Sequence, residues 1–303
     1  MTLSTHDAVK RRQMLAQWLS IGLGAAGTAR AQARSAPAQC APLPQLRFAV
    51  IPKTQDDAQT RAYGLMAQAL SAALGMPVEM VPAASYSAVV QGLQAGRIDV
   101  AELGPATYVQ MQRNGAVALP FAALVNRPGT LNRYHALLVV RRGSRWRGWQ
   151  DLRGATLALV DPASTSGALL PRLAMRKLSG MELEAYFSRV SYAGSHNRAL
   201  AAVRDGLVDA AFVSSERLAL AQERGLVAAG ELRTLWTSAP LPTDALVMRR
   251  QLCPALQARL RQVFVQQQAL LQPALQALGK QGVVAVEASD YAEVARMLGP
   301  GAP

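Results

Sequence analysis

The sequence predicts an α/β protein of two lobes, and three observations carry that reading. Beyond residue 45, short apolar runs with strand character alternate with segments patterned as helices. The alternation occurs in two series, separated by a short basic stretch from Arg141 to Arg147. The runs end at Pro, Gly or Ser-rich junctions suited to helix starts. Two such series are expected of two α/β lobes with mainly parallel sheets. The chain has 303 residues, 50% hydrophobic and 17% charged. That is too apolar for a disordered chain and long enough to bury a core without metals or disulfide staples.

In the first series Leu46–Ile51 reads as a strand ended by Pro52, and Asp57–Leu74 as a helix stopped by Gly75 and Pro77. Val78–Val81 is a second strand, and Ser85–Ala95 a helix ending at Gly96. Ile98–Leu103 runs into Gly104-Pro105, where another helix starts, and Ala116–Val125 is again strand-like. The second series has strands at Ala155–Val160, Arg189–Tyr192 and Val208–Val213, with helices opening at Ser166 and Ser195. The chain returns as a strand at Ala245–Met248 and one long amphipathic helix over Pro254–Leu278. Its Gly-Pro-Gly-Ala-Pro tail is expected to fray.

The first 33 residues read as an export signal. Lys10, Arg11 and Arg12 precede an apolar run from Met14 to Ala29, followed by Ala29-Arg-Ala-Gln-Ala33. Periplasmic localisation after cleavage is expected, and Arg11-Arg12 also admits the twin-arginine route. The run is too short, and too rich in Gly and Gln17, for a membrane anchor. Gln39 before Cys40 is not the small residue that lipidation needs. Gly22-Leu-Gly24-Ala-Ala-Gly27 spells a dinucleotide fingerprint, but no strand precedes it, so no nucleotide cofactor is expected. The net charge of +13 includes Lys10, Arg11, Arg12 and Arg30 of this leader. The remaining arginines are scattered between helices rather than forming a basic stripe with aromatics, which argues against nucleic acid.

Three junctions look like parts of one ligand site. Asp161-Pro-Ala-Ser164-Thr165-Ser166-Gly167 follows a strand and opens a helix, so its hydroxyls and free N–H groups suit an oxyanion. One serine would suffice for an ordinary N-cap. Gly194-Ser195-His196-Asn197 is a second strand-to-helix junction, where His196 is either a donor to an anion or a cap. The third is Tyr86 with Gly104-Pro105-Ala-Thr107-Tyr108, whose tyrosines taken singly suit the core better than a ligand. Ser164 stands where the first glycine of a G-x-S-x-G elbow would be, which disfavours a serine hydrolase. With His135 and His196 alone beyond the leader, a histidine metal centre is not expected. No enzyme, metal or cofactor is expected.

Taken together, Tyr86 to Asp99 with Gly104-Pro105 and Tyr108, the loop Asp161–Gly167, and Gly194-Ser-His196 with Leu200 to Asp209 resemble the phosphate/phosphite/phosphonate-binding proteins of ABC importers. The resemblance implies a type II periplasmic-binding-protein fold, with two α/β lobes, a two-stranded hinge and the ligand in the cleft. Residues 45–130 and 242–303 would form one lobe and 131–241 the other, after the leader at 1–33. Ser164, Thr165 and Ser166 would hold the oxyanion, His196 would donate to it, and Tyr86 and Tyr134 would close over it.

Glu216 and Asp244 fall where family members that take aminoalkylphosphonates place the two acids that hold the amino group. As bare residues, the two also suit a helix start and a loop. Two cleft carboxylates would repel a plain phosphate dianion and favour a zwitterion, so the expected ligand is an aminoalkylphosphonate. Phosphate, phosphite, or a sensor role beside a membrane kinase are the alternatives. The implied partner is a membrane ABC permease, and a monomer is expected. Cys40 and Cys253 are compatible with a disulfide in that compartment.

Overall fold

The computed structural model describes residues 43–54 and 57–299. The leader, its twin arginines and fingerprint, Cys40 and the tail at 300–303 lie outside them. Cys253 is disulfide-bonded.

The first lobe begins with β1 (Leu46–Ala49), α1 (Asp57–Leu74), β2 (Val78–Met80), α2 (Tyr86–Gln94), β3 (Val100–Leu103), α3 (Pro105–Arg113) and β4 (Ala118–Val125). The chain crosses through β5 (Arg133–Tyr134) into β6 (Ala136–Arg141), β7 (Thr156–Leu159), α4 (Leu170–Ser179) and α5 (Leu183–Tyr186). It continues through β8 (Arg189–Tyr192), α6 (His196–Arg204), β9 (Ala210–Ser214), α7 (Ser215–Glu223) and β10 (Leu232–Thr237). It returns through β11 (Leu241–Pro242) to β12 (Ala245–Arg249), α8 (Pro254–Arg261), α9 (Gln272–Ala277), β13 (Gly282–Ala285) and α10 (Ala292–Leu298). One sheet has the order β13-β4-β12-β3-β1-β2 and the other β10-β6-β9-β7-β8. At the crossing, β5 and β11 pair antiparallel, with Leu241 opposite Tyr134.

Two expectations need correction. The sheets are mixed rather than mainly parallel: β1 pairs parallel with β2 and β3, and β7 with β8 and β9, while the pairs made by β6, β10, β12 and β13 are antiparallel. Parallel neighbours need a helical crossover; β6 and β12 enter their sheets directly from the crossing and are free of that rule. The single helix over Pro254–Leu278 is also broken. After α8 come a π turn at Gln262–Gln266 and a 3-10 turn at Gln268–Leu271, before α9 restarts with Pro273 in its first turn. Pro273 lacks an N–H and clashes with a preceding helical turn, so it tolerates only a helix start.

Two Gly-x-x-Asp segments anchor the sheets in the same manner. Gly96 and Gly206 end their helices at φ of 66° and 73°, in the left-handed region. Three residues on, Asp99 accepts hydrogen bonds from the Arg47 backbone N–H (3.0 Å), Arg47 Nε (2.8 Å) and Arg249 Nη2 (2.9 Å). Asp209 accepts from the N–H and Oγ1 of Thr156, both at 2.8 Å. Burial would push the Asp99 carboxyl up, but the Arg47 and Arg249 hydrogen bonds outweigh it and hold the pKa below the ordinary value.

The lobes meet through the loop after β7. The Asp161 carboxylate accepts from Tyr86 N (3.2 Å) and Ser87 Oγ (3.3 Å) at the start of α2, and from Ala163 N (2.8 Å) in its own loop. Thr165 Oγ1 accepts from Ala106 N at the start of α3 (3.0 Å), and the Thr107 hydroxyl donates to the Ala163 carbonyl. Gly104 is required by this approach: a Cβ there would lie 2.6 Å from Thr165 Oγ1 and 3.4 Å from its Cβ.

Asp99→Asn should lower stability by about 2–4 kcal/mol in denaturant unfolding, because it strips charge from a buried, doubly paired carboxylate. Since the folded pKa lies below the unfolded one, this contribution is present above the unfolded value and lost as pH falls through the folded value. Below about pH 4 the wild type should therefore lose stability more steeply than the variant; parallel curves would contradict the pairing. Gly104→Ala should displace Thr165 and speed hydrogen exchange at the Ala106 amide by about tenfold or more. Unchanged exchange there would show that the contact does not hold the lobes.

Candidate functional site

The cleft lies at the carboxyl ends of strands, where α/β sheets place their ligand sites. β7 feeds the helical turn Thr165–Leu169, β8 feeds α6, and β9 feeds α7, so three helix starts of the second lobe converge on it. Across from them stand the starts of α2 and α3. All eight residues singled out in the sequence line one small pocket with a cavity volume of about 20 Å³: Tyr86, Tyr134, Ser164, Thr165, Ser166, His196, Glu216 and Asp244. It is lined as well by Ile51, Lys53, Gly104, Ser214 and Arg217.

The hydroxyl loop divides its labour. Ser164 is an N-cap, its Oγ accepting from Gly167 N at 3.1 Å, while its O–H stays free to donate. Gly167 admits no side chain, since a Cβ would lie 2.4 Å from Val160. Thr165 likewise spends an acceptor lone pair on Ala106 of the other lobe. The Ser166 hydroxyl lies beside the Tyr134 phenol, whose pKa burial holds well above 10. By position, the N–H groups of Thr165 and Ser166 head the helix and have no intrahelical acceptor.

His196 is the first residue of α6, after the Ser195 cap. Its Nδ1 accepts from the Ser214 N–H at 3.2 Å, so the proton of the neutral ring sits on Nε2. Burial, then the charges of Arg217 and Lys53, push its pKa down to about 3. His196 is thus a neutral N–H donor, not a cation. The Tyr86 hydroxyl is buried with no hydrogen-bond partner in the protein. Burial, then the Asp244 charge, holds its pKa well above 10, so it too remains a donor. Tyr108 packs edge to face on Tyr291 with ring centroids 5.1 Å apart, which makes it a core residue. His135 is tied to the Ser238 carbonyl through Nδ1 at 2.8 Å.

The other end of the pocket is charged. Lys53 Nζ lies 2.5 Å from Asp244 Oδ2 and 2.8 Å from Glu102 Oε1, and Glu102 also accepts from the Tyr63 hydroxyl at 2.8 Å. Burial would push the Lys53 ammonium down, but Asp244 and Glu102 outweigh it and hold its pKa up. Burial raises the Asp244 carboxyl against the pull of Lys53. Glu216 lies in the first turn of α7, its carboxylate 3.8 Å from Lys280 Nζ. Arg217, beside it, adds a further positive charge to the wall.

The sequence reading missed Lys53, Glu102 and Arg217. Two of them carried a signal. Glu102 is an acid within the apolar run Val100-Ala-Glu-Leu103, and Lys53 follows the proline that ends a strand whose carboxyl end faces a cleft. Arg217 is indistinguishable from any arginine in the first turn of a surface helix.

The family profile described as ABC transporter, phosphonate, periplasmic substrate-binding protein matches residues 48–291. The Phosphate-import protein PhnD of Mycolicibacterium smegmatis is 28% identical over 229 residues, covering 73% of this chain and 71% of its own length. The Phosphonates-binding periplasmic protein of Escherichia coli is 28% identical over 201 residues, and the match covers 63% of this chain and 57% of that protein. A crystal structure of a binding protein component of an ABC phosphonate transporter from Pseudomonas aeruginosa shares the fold. Its TM-score is 0.74 at 23% identity, over 84% of this chain and 86% of that one. The two-lobed fold with its hinge and cleft, and a profile match spanning both lobes, agree on one conclusion: the chain belongs to the periplasmic substrate-binding proteins of ABC phosphonate transporters.

Proposed function

We propose that this receptor delivers a compact phosphorus oxyanion to its permease: phosphate, phosphite or a short alkylphosphonate. The oxyanion is held by Tyr86, Tyr134, Ser164, Thr165, Ser166 and His196. The observation that carries the reading is the buried Tyr86 hydroxyl without a protein partner. Such a group costs about 1–3 kcal/mol when left unpaired, and an anionic oxygen in the pocket relieves that cost. The neutral His196 Nε2–H and the helix-start N–H groups at Thr165 and Ser166 add donors, without a cation that would demand a counter-charge. The relative from Mycolicibacterium smegmatis, named for phosphate import, and the Escherichia coli relative, named for phosphonates, support the ligand class.

An aminoalkylphosphonate fits less well than the resemblance implied. That expectation needed Glu216 and Asp244 as open carboxylates. Both line the pocket, but Lys53 already holds Asp244 at 2.5 Å, and Lys280 lies 3.8 Å from Glu216. With their charge countered from within, the acids no longer forbid a plain oxyanion.

Titration calorimetry on the protein lacking residues 1–33 should show roughly micromolar or tighter binding of phosphate, phosphite or methylphosphonate. No binding of any of the three would overturn the reading. Ser166→Ala should weaken the bound oxyanion by ~1–3 kcal/mol. Tyr86→Phe should weaken it by a similar amount while raising the melting temperature of the ligand-free protein, because the orphan hydroxyl is gone. A variant that loses stability and binding together would mean that Tyr86 is only a packing residue. His196→Gln should weaken binding by a factor that stays constant between about pH 5 and pH 8, since the imidazole does not titrate there. A factor that grows on acidification would show an imidazolium in the complex.

A further inference from the structure

Lys53 is built into the cleft rather than placed on its rim. Its backbone carbonyl accepts the His196 N–H at 3.2 Å, so the segment after β1 is held against the opposite lobe at the helix start that carries the imidazole. Its side chain is 10% exposed, and its Nζ bridges Glu102 and Asp244, which are 5% and 17% exposed. Two of the three ammonium donors are spent on these carboxylates. The pairing is the one a ligand carrying both an oxyanion and an ammonium group would need, with the oxyanion among the hydroxyls and the ammonium between the acids.

We infer that Lys53 sets the ligand class of this cleft: its ammonium stands where a ligand's ammonium would bind, so the site rejects amino-substituted phosphonates and accepts those without a cation. The inference rests on the reading that a phosphorus oxyanion binds among the hydroxyls. An incoming ammonium would meet Lys53 and Arg217 as like charges, with Asp244 already held by Lys53 and Glu216 faced by Lys280 at 3.8 Å.

Propylphosphonate and 2-aminoethylphosphonate form an isosteric pair, a methyl against an ammonium, and their affinity ratio reads the effect. The wild type should favour propylphosphonate by about tenfold or more. Lys53→Met should lower that ratio by about tenfold or more by opening Asp244 and Glu102 to the ligand, while Lys53→Arg should leave it in place. Should Lys53→Met fail to fold with two bare acids, Lys53→Met with Glu102→Gln retains one acceptor and should show the same fall.

Equal affinity of the wild type for the pair overturns the inference and leaves the oxyanion reading intact. So does a ratio in the double variant within about twofold of wild type. Binding of phosphate with neither member of the pair bound, in wild type and variants alike, also overturns it, because size alone would then select. A wild type that binds none of phosphate, phosphite, methylphosphonate or the pair fails the oxyanion reading itself.

Discussion

The architecture depends on where the helix starts point. Placing strand ends and helix starts around one cleft brings together more backbone N–H groups than the helices can satisfy themselves. The two lobes resolve this differently. At α2 and α3 the donors of Tyr86 and Ala106 are taken by Asp161 and Thr165, residues of the opposite lobe. At the turn Thr165–Leu169 the corresponding donors belong to Thr165 and Ser166, which line the pocket. One loop therefore closes the lobes with Asp161 and Thr165 while its other groups line the site. The groups that join the lobes and the groups proposed to hold the ligand belong to adjacent residues of a single turn, which is a direct physical route for coupling binding to closure.

Electrostatics follow the same economy. Most of the described arginines are exposed, where salt screens them. In the lining of the cleft pocket, Lys53 and Arg217 stand against Glu216 and Asp244, so that wall is close to charge-balanced. On the proposed reading, recognition then falls to short-range donors: a phenol, hydroxyls, a neutral imidazole and helix ends. The histidine shows how strictly this is arranged. The Ser214 N–H fixes its tautomer, and burial keeps it uncharged, so the ring presents one donor and no net charge.

Much of this was legible in the sequence because it is local. The α1 helix matches its predicted limits, Asp57 to Leu74, since a regular pattern there ends at Gly75. The residues Ser164 to Ser166, His196 and Tyr86 all sit at strand-to-helix junctions, which sequence marks by hydroxyls and glycine. What escaped was set by distant partners. The antiparallel sense of β12 and β13 depends on the chain's return from the other lobe, not on their own residues. The broken helix after Pro254 turned on Pro273, whose weight the amphipathic pattern concealed. Lys53 and Glu102 are 49 residues apart, and only the parallel pairing of β1 with β3 brings their carriers side by side. The two Gly-x-x-Asp segments, read as marks of a family, prove to have a structural duty in tying each helix exit to a neighbouring strand.

The Lys53 cluster also argues from its cost. Taking an ammonium and two carboxylates out of water is unfavourable, and their mutual attraction seldom returns more than the desolvation removes. An apolar filling of the same space would serve stability at least as well. The Glu102 carboxylate is further fixed by Tyr63, so the cluster is a rigid feature rather than a chance encounter of flexible side chains. A fold that keeps such a group beside its ligand cleft gains little stability from it. What it gains is a permanent charge at a defined point, and in a pocket this small a permanent charge acts on whatever substituent the oxyanion carries. Discrimination by an internal ion leaves every hydrogen bond at the oxyanion end as it is. On that inference, the hydroxyl cradle remains common to several ligand classes while one lysine separates them.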